Sequence, residues 1–180
     1  MTMKDILKKA AKIKLLVFDV DGVLTDGSLI VGDDGQEYKS FFSKDGLGIK
    51  MLQQTGVKVA VITARTSNVV LHRMQGLGIE HIYQGRLEKL PAFEEVITEL
   101  KLTPEQAAYV GDDVIDLPVL TRAGLAITVQ DAHPFVIKHV HWQTPHNGGR
   151  GAARDVCELI MRAQNTLDAQ FNKYIPHIEE

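Results

Sequence analysis

An apolar run, Ile13-Lys14-Leu15-Leu16-Val17-Phe18, ends in two carboxylates two residues apart, Asp19 and Asp21, followed at once by Gly22. A short, continuously apolar run of this kind reads as a strand covered on both faces in a parallel sheet. In extended chain, positions i and i+2 point the same way. Asp19 and Asp21 therefore both reach the space beyond the strand's carboxyl end. Gly22 lets the chain turn sharply there and lets a ligand approach the backbone. Two like charges about 4–6 Å apart raise one pKa unless a cation lies between them. A hard dication such as Mg2+ takes carboxylate, carbonyl and water oxygens and removes that conflict. One carboxylate can then attack phosphorus while the other carries a proton to and from the leaving oxygen. A bare pair at this spacing also arises as a chance acidic turn, so the rest of the chain decides.

The pattern of a buried strand with a polar end recurs. Val57–Ile62 runs into Thr63-Ala64-Arg65, and Ala107–Val110 runs into Gly111-Asp112-Asp113-Val114-Ile115-Asp116; Ile79–Tyr83 and Leu125–Val129 read as further strands. Helical spacing separates them: Gly46–Thr55 closed by Gly56, Ser67–Gln75 with Ser67 as N-cap, and a helix carrying Leu90, Phe93, Ile97 and Leu100. A short helix at Thr103-Pro104-Glu105-Gln106 follows, then Leu117–Ala123, where Asp116 either caps the helix or serves the acidic cluster. His133–Val140 and Ala152–Leu167 complete the series, and Lys4–Lys12 reads as a short amphipathic helix before the first strand. This alternation predicts an α/β fold: one domain over 1–180, with a Rossmann-like parallel sheet and helices on both faces. Ligands in such folds sit beyond the carboxyl ends of the strands, where five carboxylates and the Thr63 hydroxyl gather.

One segment breaks the rhythm. Ser28–Val31 and Gln36–Phe42 flank Gly32-Asp33-Asp34-Gly35, which predicts a β-hairpin within about 26–44, projecting above the site. Leu29, Val31 and one of Phe41 or Phe42 are then exposed unless a second subunit covers them. Charge excludes other partners: 20 basic against 23 acidic residues give −3, so no basic field draws nucleic acid or an anionic membrane. An anionic substrate must find its cations locally. The single cysteine, Cys157, excludes an internal disulfide, suits a reducing cytosol and is expected inside a helix of the core. No run approaches 18 apolar residues, and the expected location is cytoplasmic. His139 and His141 have a metal-like spacing but nothing converges on them, and Trp142 is expected to pack rather than bind.

Taken together, Asp19-Val20-Asp21-Gly22-Val23-Leu24-Thr25-Asp26-Gly27, Ile62-Thr63, Lys89 and Gly111-Asp112-Asp113-Val114-Ile115-Asp116 resemble the haloacid dehalogenase (HAD) phosphatase superfamily in order and spacing. The DxDGxxTDG form, a hairpin in place of a cap domain and Gly148-Gly149-Arg150-Gly151 resemble a narrower group, the 3-deoxy-D-manno-octulosonate 8-phosphate (KDO 8-phosphate) phosphatases. The resemblance implies Asp19 as nucleophile and Asp21 as acid and base. It implies Mg2+ on Asp19, Asp112 and the main-chain carbonyl of Asp21, and phosphoryl oxygens on Thr63 and Lys89, with Asp113 and Asp116 orienting the metal site from behind. For the sugar acid it points to Arg65 and Arg73 with Ser43, Lys44, Asp45 and Gly46, arginine's planar fork matching a carboxylate. Ala64 stands where that group usually has Gly. The resemblance further implies a homotetramer in which the hairpins meet and Gly148, Gly149, Arg150 and Gly151 enter a neighbour's pocket. Open alternatives are a nine-carbon keto acid 9-phosphate or another small sugar phosphate as substrate, a phospho-receiver switch, and a catalytically silent subunit. The receiver places its phosphorylated Asp on a middle strand of the chain, whereas here the pair follows the first.

Overall fold

In a computed structural model that describes residues 1–175, the apolar run forms β1 (Leu15–Phe18), fully buried at the centre of the sheet. Side chains alternate along a strand, and two cores result. Leu16 and Phe18 of β1 face one apolar cluster, Leu15 and Val17 the other. A strand covered on both sides has to be apolar at every position, as β1 is.

Before β1, α1 (Met3–Ala10) carries the capping box Thr2/Asp5 and buries Ile6 and Ala10. The hairpin strands β2 (Ile30–Val31) and β3 (Glu37–Tyr38) form a separate two-stranded sheet, shorter than the sequence suggests. Leu29, Ile30, Val31 and Tyr38 are exposed; Phe41 and Phe42 are both half-buried, and Phe41 packs on the core. The next helix, α2 (Ser43–Gln53), begins three residues earlier than its glycines suggest.

β4 (Lys58–Ile62), α3 (Asn68–Gly76), β5 (His81–Tyr83), α4 (Lys89–Glu99) and β6 (Ala107–Val110) continue the βα pattern. Ser67 precedes α3 but makes no side-chain capping bond; its own N–H donates to Gln84 Oε1 at 2.7 Å. Thr103 and Gln106 form the expected capping box, around a 3-10 turn. Then come α5 (Leu117–Leu120), β7 (Leu125–Thr128), α6 (Pro134–Ile137) and β8 (Trp142–Gln143). β8 is a sixth strand that the sequence does not announce, because two residues carry no period. Trp142 there packs against the core.

α7 (Ala152–Ala163) stops before Leu167, since Asn165 takes a left-handed φ of 56°, and α8 (Leu167–Asn172) follows. Cys157 is buried on α7. His139 Nδ1 bonds the Phe135 carbonyl and His141 Nδ1 accepts the Ala126 N–H, so neither ring points at a shared ligand.

The sheet is parallel throughout, in the order β5-β4-β1-β6-β7-β8. From β1 the chain builds outward to β4 and β5, then returns to place β6 on the other side. The strand order therefore reverses between β1 and β6, where a crevice opens at the carboxyl ends.

Candidate active site

The crevice between β1 and β6 brings Asp19 and Asp112 together. Asp19 leaves β1 with its N–H donated to the Val110 carbonyl at 2.9 Å, which ties the two strand ends to each other. Gly22 turns the chain back with φ +88°, and a β-carbon there would lie 2.1 Å from Asp112 Oδ2. Only glycine leaves room for that carboxylate.

Asp19, Asp112 and Asp116 each offer an oxygen within 4.8 Å of the others. Lys89, the first residue of α4, is fully buried against them, with Nζ 2.9 Å from Asp19 Oδ1 and 2.6 Å from Asp116 Oδ1. Burial pulls the ammonium's pKa down, but Asp19 and Asp116 more than offset that and raise it overall. One cation for three carboxylates leaves a deficit. Burial, reinforced by Asp116, pushes Asp19 up to about 7, and burial with the charges of Asp19 and Asp116 pushes Asp112 up to about 8.

The acids are not equivalent. A carboxylate offers about four lone-pair sites, and Asp116 uses all of them. Oδ1 accepts from Lys89 and from the Tyr109 hydroxyl at 2.6 Å; Oδ2 accepts the N–H groups of Asp112 at 3.0 Å and Asp113 at 3.2 Å. It makes no capping bond to α5, so its place is in the acidic cluster. Asp113 caps the 3-10 turn Val114–Asp116. Asp112 Oδ1, by contrast, is buried with no hydrogen-bond partner among the described residues. A buried orphan oxygen next to a second carboxylate is what a dication would satisfy. Asp19 and Asp112 fit Mg2+.

A pocket of about 310 Å³ opens over these groups, with Asp21, Thr63, Arg65 and Asp113 also on its wall. Thr63 is held by its N–H to the Tyr83 carbonyl and its carbonyl to the Arg86 N–H. Ala64 keeps a negative φ, so the side chain costs no backbone strain where glycine is usual. A larger opening of about 550 Å³ lies by the strands' amino ends near Lys12, Lys14 and Gln164, without carboxylates on its wall.

Other expected contacts lie elsewhere. Ser43, Lys44, Asp45, Gly46 and Arg73 do not line this pocket. Asp45 is buried and its carboxylate accepts the N–H groups of Gly151 at 3.3 Å and Arg154 at 2.9 Å, which anchors the start of α7. Arg73 lies over the Phe41 ring and against Gly46, where a β-carbon would meet its guanidinium at 2.4 Å. Lys44 is exposed beside Phe42.

Gly148–Gly151 is held by contacts within its own chain. A β-carbon on Gly148 would lie 1.8 Å from the Gly22 carbonyl oxygen; Gly149 N–H donates to the Val23 carbonyl, and Arg150 pairs with Asp26 at 3.2 Å. The segment braces the turn that follows Asp19. Residues 176–180, part of the tail expected to reach a neighbour, lie outside the described residues.

Two participants escape a reading of motifs. Lys39, just after β3, touches Asp21 Oδ1, and Tyr109 meets Asp116 from inside β6. Strand alternation could have placed Lys39 opposite Tyr38, facing the site.

Comparison with known proteins agrees with this geometry. A model of the haloacid dehalogenase-like hydrolases matches residues 76–154. The 3-deoxy-D-manno-octulosonate 8-phosphate phosphatase KdsC of Yersinia pestis is 46% identical over 164 residues, covering 91% of this chain and 88% of that protein. The chain belongs to the KDO 8-phosphate phosphatase family. Among solved structures, a probable YrbI family phosphatase from Pseudomonas syringae superposes with a TM-score of 0.95 at 48% identity, covering 96% of this chain and 98% of that one. A KDO 8-phosphate phosphatase from Moraxella catarrhalis, solved with magnesium, phosphate and KDO, gives 0.95 at 41% identity over 97% of this chain and all of that one. Like these family members, the chain carries the HAD core, and its relatives are phosphatases rather than receivers.

Proposed function

We propose that the protein hydrolyses KDO 8-phosphate to KDO and inorganic phosphate through an aspartyl-phosphate intermediate on Asp19. The observation that carries this is the pairing of Asp19 with the orphan oxygen of Asp112 beside buried Lys89, in a chain 46% identical to a KDO 8-phosphate phosphatase.

Asp19 sits deepest and is the nucleophile. Lys89 neutralises charge on the transferring phosphoryl group, and the Thr63 hydroxyl donates to one of its oxygens. Asp21, nearer solvent, protonates the departing sugar oxygen and then takes a proton from the attacking water. Asp19, Asp112 and the main-chain carbonyl of Asp21 would hold Mg2+, which when bound would supply further charge neutralisation. Asp113 and Asp116 hold the Asp112 loop. Arg65, half-exposed on the pocket wall, is the residue best placed for the sugar's carboxylate.

We take the chain as one domain over 1–180, assembled as four copies in the cytoplasm. The exposed apolar hairpin side chains Leu29, Ile30, Val31 and Tyr38 favour a subunit contact there. No helix among the described residues is long and apolar enough to cross a membrane.

The test is phosphate release from KDO 8-phosphate, a nine-carbon keto acid 9-phosphate and simpler sugar phosphates, with and without Mg2+. The highest kcat/KM is expected for KDO 8-phosphate, with magnesium. A clear preference for the nine-carbon ester would assign the protein a different substrate.

A further inference from the structure

Along β3 and the residue after it, side chains alternate. Tyr38 is 51% exposed, whereas the Lys39 side chain is fully buried and Glu37 mostly so. Lys39 Nζ touches Asp21 Oδ1 and lies 3.0 Å from Glu37 Oε1, which also accepts from Arg65 at 3.2 Å. An unbroken chain of ion pairs, Asp21–Lys39–Glu37–Arg65, thus runs through the hairpin from one wall residue of the pocket to another. An exposed pair would contribute little, but this lysine has given up its water and is satisfied only if both carboxylates stay in place.

Lysine has three donors and no acceptor. A carboxyl oxygen that accepts from it is not the oxygen that presents a proton to a substrate. We propose that Lys39 is the positioning residue of the general acid: by holding Asp21 Oδ1, it leaves Oδ2 to deliver the proton to the departing sugar oxygen. In the step concerned, an Asp19 oxygen bonds to phosphorus and the ester P–O bond breaks. Its electron pair goes to the sugar oxygen, and the proton moves there from Asp21 Oδ2. The inference rests on the role of Asp21 proposed above.

The leaving group separates positioning from mere support of the hairpin. A sugar alkoxide needs a proton to depart; p-nitrophenolate does not. In Lys39→Met, kcat/KM should fall about 100-fold for KDO 8-phosphate and less than about 5-fold for p-nitrophenyl phosphate, since the lost contribution is that of a general acid. Lys39→Arg keeps a donor and should recover most of the loss on the sugar ester. Equal losses on both esters would make Lys39 a staple of the hairpin, and no loss on either would remove it from the reaction; both overturn the proposal. A wild-type protein inactive on both esters would instead overturn the phosphatase reading itself, and this inference with it.

Discussion

Lys89 Nζ lies between Asp19 and Asp116, 2.9 Å from an oxygen of one and 2.6 Å from an oxygen of the other, with no solvent contact. Asp19 is thus tied to the same cation as the acid that holds the Asp112 loop. The spacing of charges behind the pocket depends on one side chain at the start of α4.

Lys89→Met is expected to leave three crowded carboxylates without their internal cation. Breaking a buried pair in this way costs about 3–5 kcal/mol, and losing one stabiliser of transition-state charge costs roughly 100- to 1000-fold in rate. Urea unfolding and phosphate release measure the two effects. A variant with wild-type stability would mean that the cluster does not need its lysine.

Tyr109→Phe removes one of the four donors to Asp116 and leaves a buried acceptor short. A loss of about 1–3 kcal/mol is expected, with a higher Mg2+ concentration needed for half-maximal activity because the Asp112 loop is less firmly held. Equilibrium unfolding and a magnesium titration test this. Unchanged values in both would show that Tyr109 is filling space only.

Without metal, stability should depend on pH in a defined direction. Asp19 and Asp112 are raised from 3.8 to about 7 and about 8 in the folded state. Between 3.8 and those values the folded chain binds more protons than the unfolded one, so stability falls as pH rises through that window. In EDTA the melting temperature should therefore be lower at pH 8.5 than at pH 5.5. Adding Mg2+ should raise it more at pH 8.5. A larger gain at pH 5.5 would reverse the sign and contradict a carboxylate-held ion.

Gly148→Ala is expected to disrupt the turn after Asp19, because the new methyl would stand 1.8 Å from the Gly22 carbonyl oxygen. Activity should fall even in dilute protein, since the clash lies within one chain. Full activity would show that the segment can leave this position.

The fold was legible because buried parallel strands are uniformly apolar and their polar ends are not. Asp19, Asp112, Thr63 and Lys89 lie far apart in sequence yet share one end of one sheet. β8 was not legible, since its two residues hold their place only by pairing with β7. Asp45 reads as a ligand in a linear sequence, and its partners Gly151 and Arg154 are over a hundred residues away. The close approach of Gly148 to Gly22 was not legible either, since the two lie far apart in sequence. Lys39 belongs to no motif, and it enters the site only because the hairpin folds over Asp21.

The most direct test is acid quench of the protein turning over KDO 8-phosphate with Mg2+, followed by peptide mass analysis. One phosphoryl group on the peptide that contains Asp19, absent from Asp19→Asn, is the predicted result. Phosphate release at the wild-type rate by Asp19→Asn, or a phosphoryl group trapped on another residue, would contradict it.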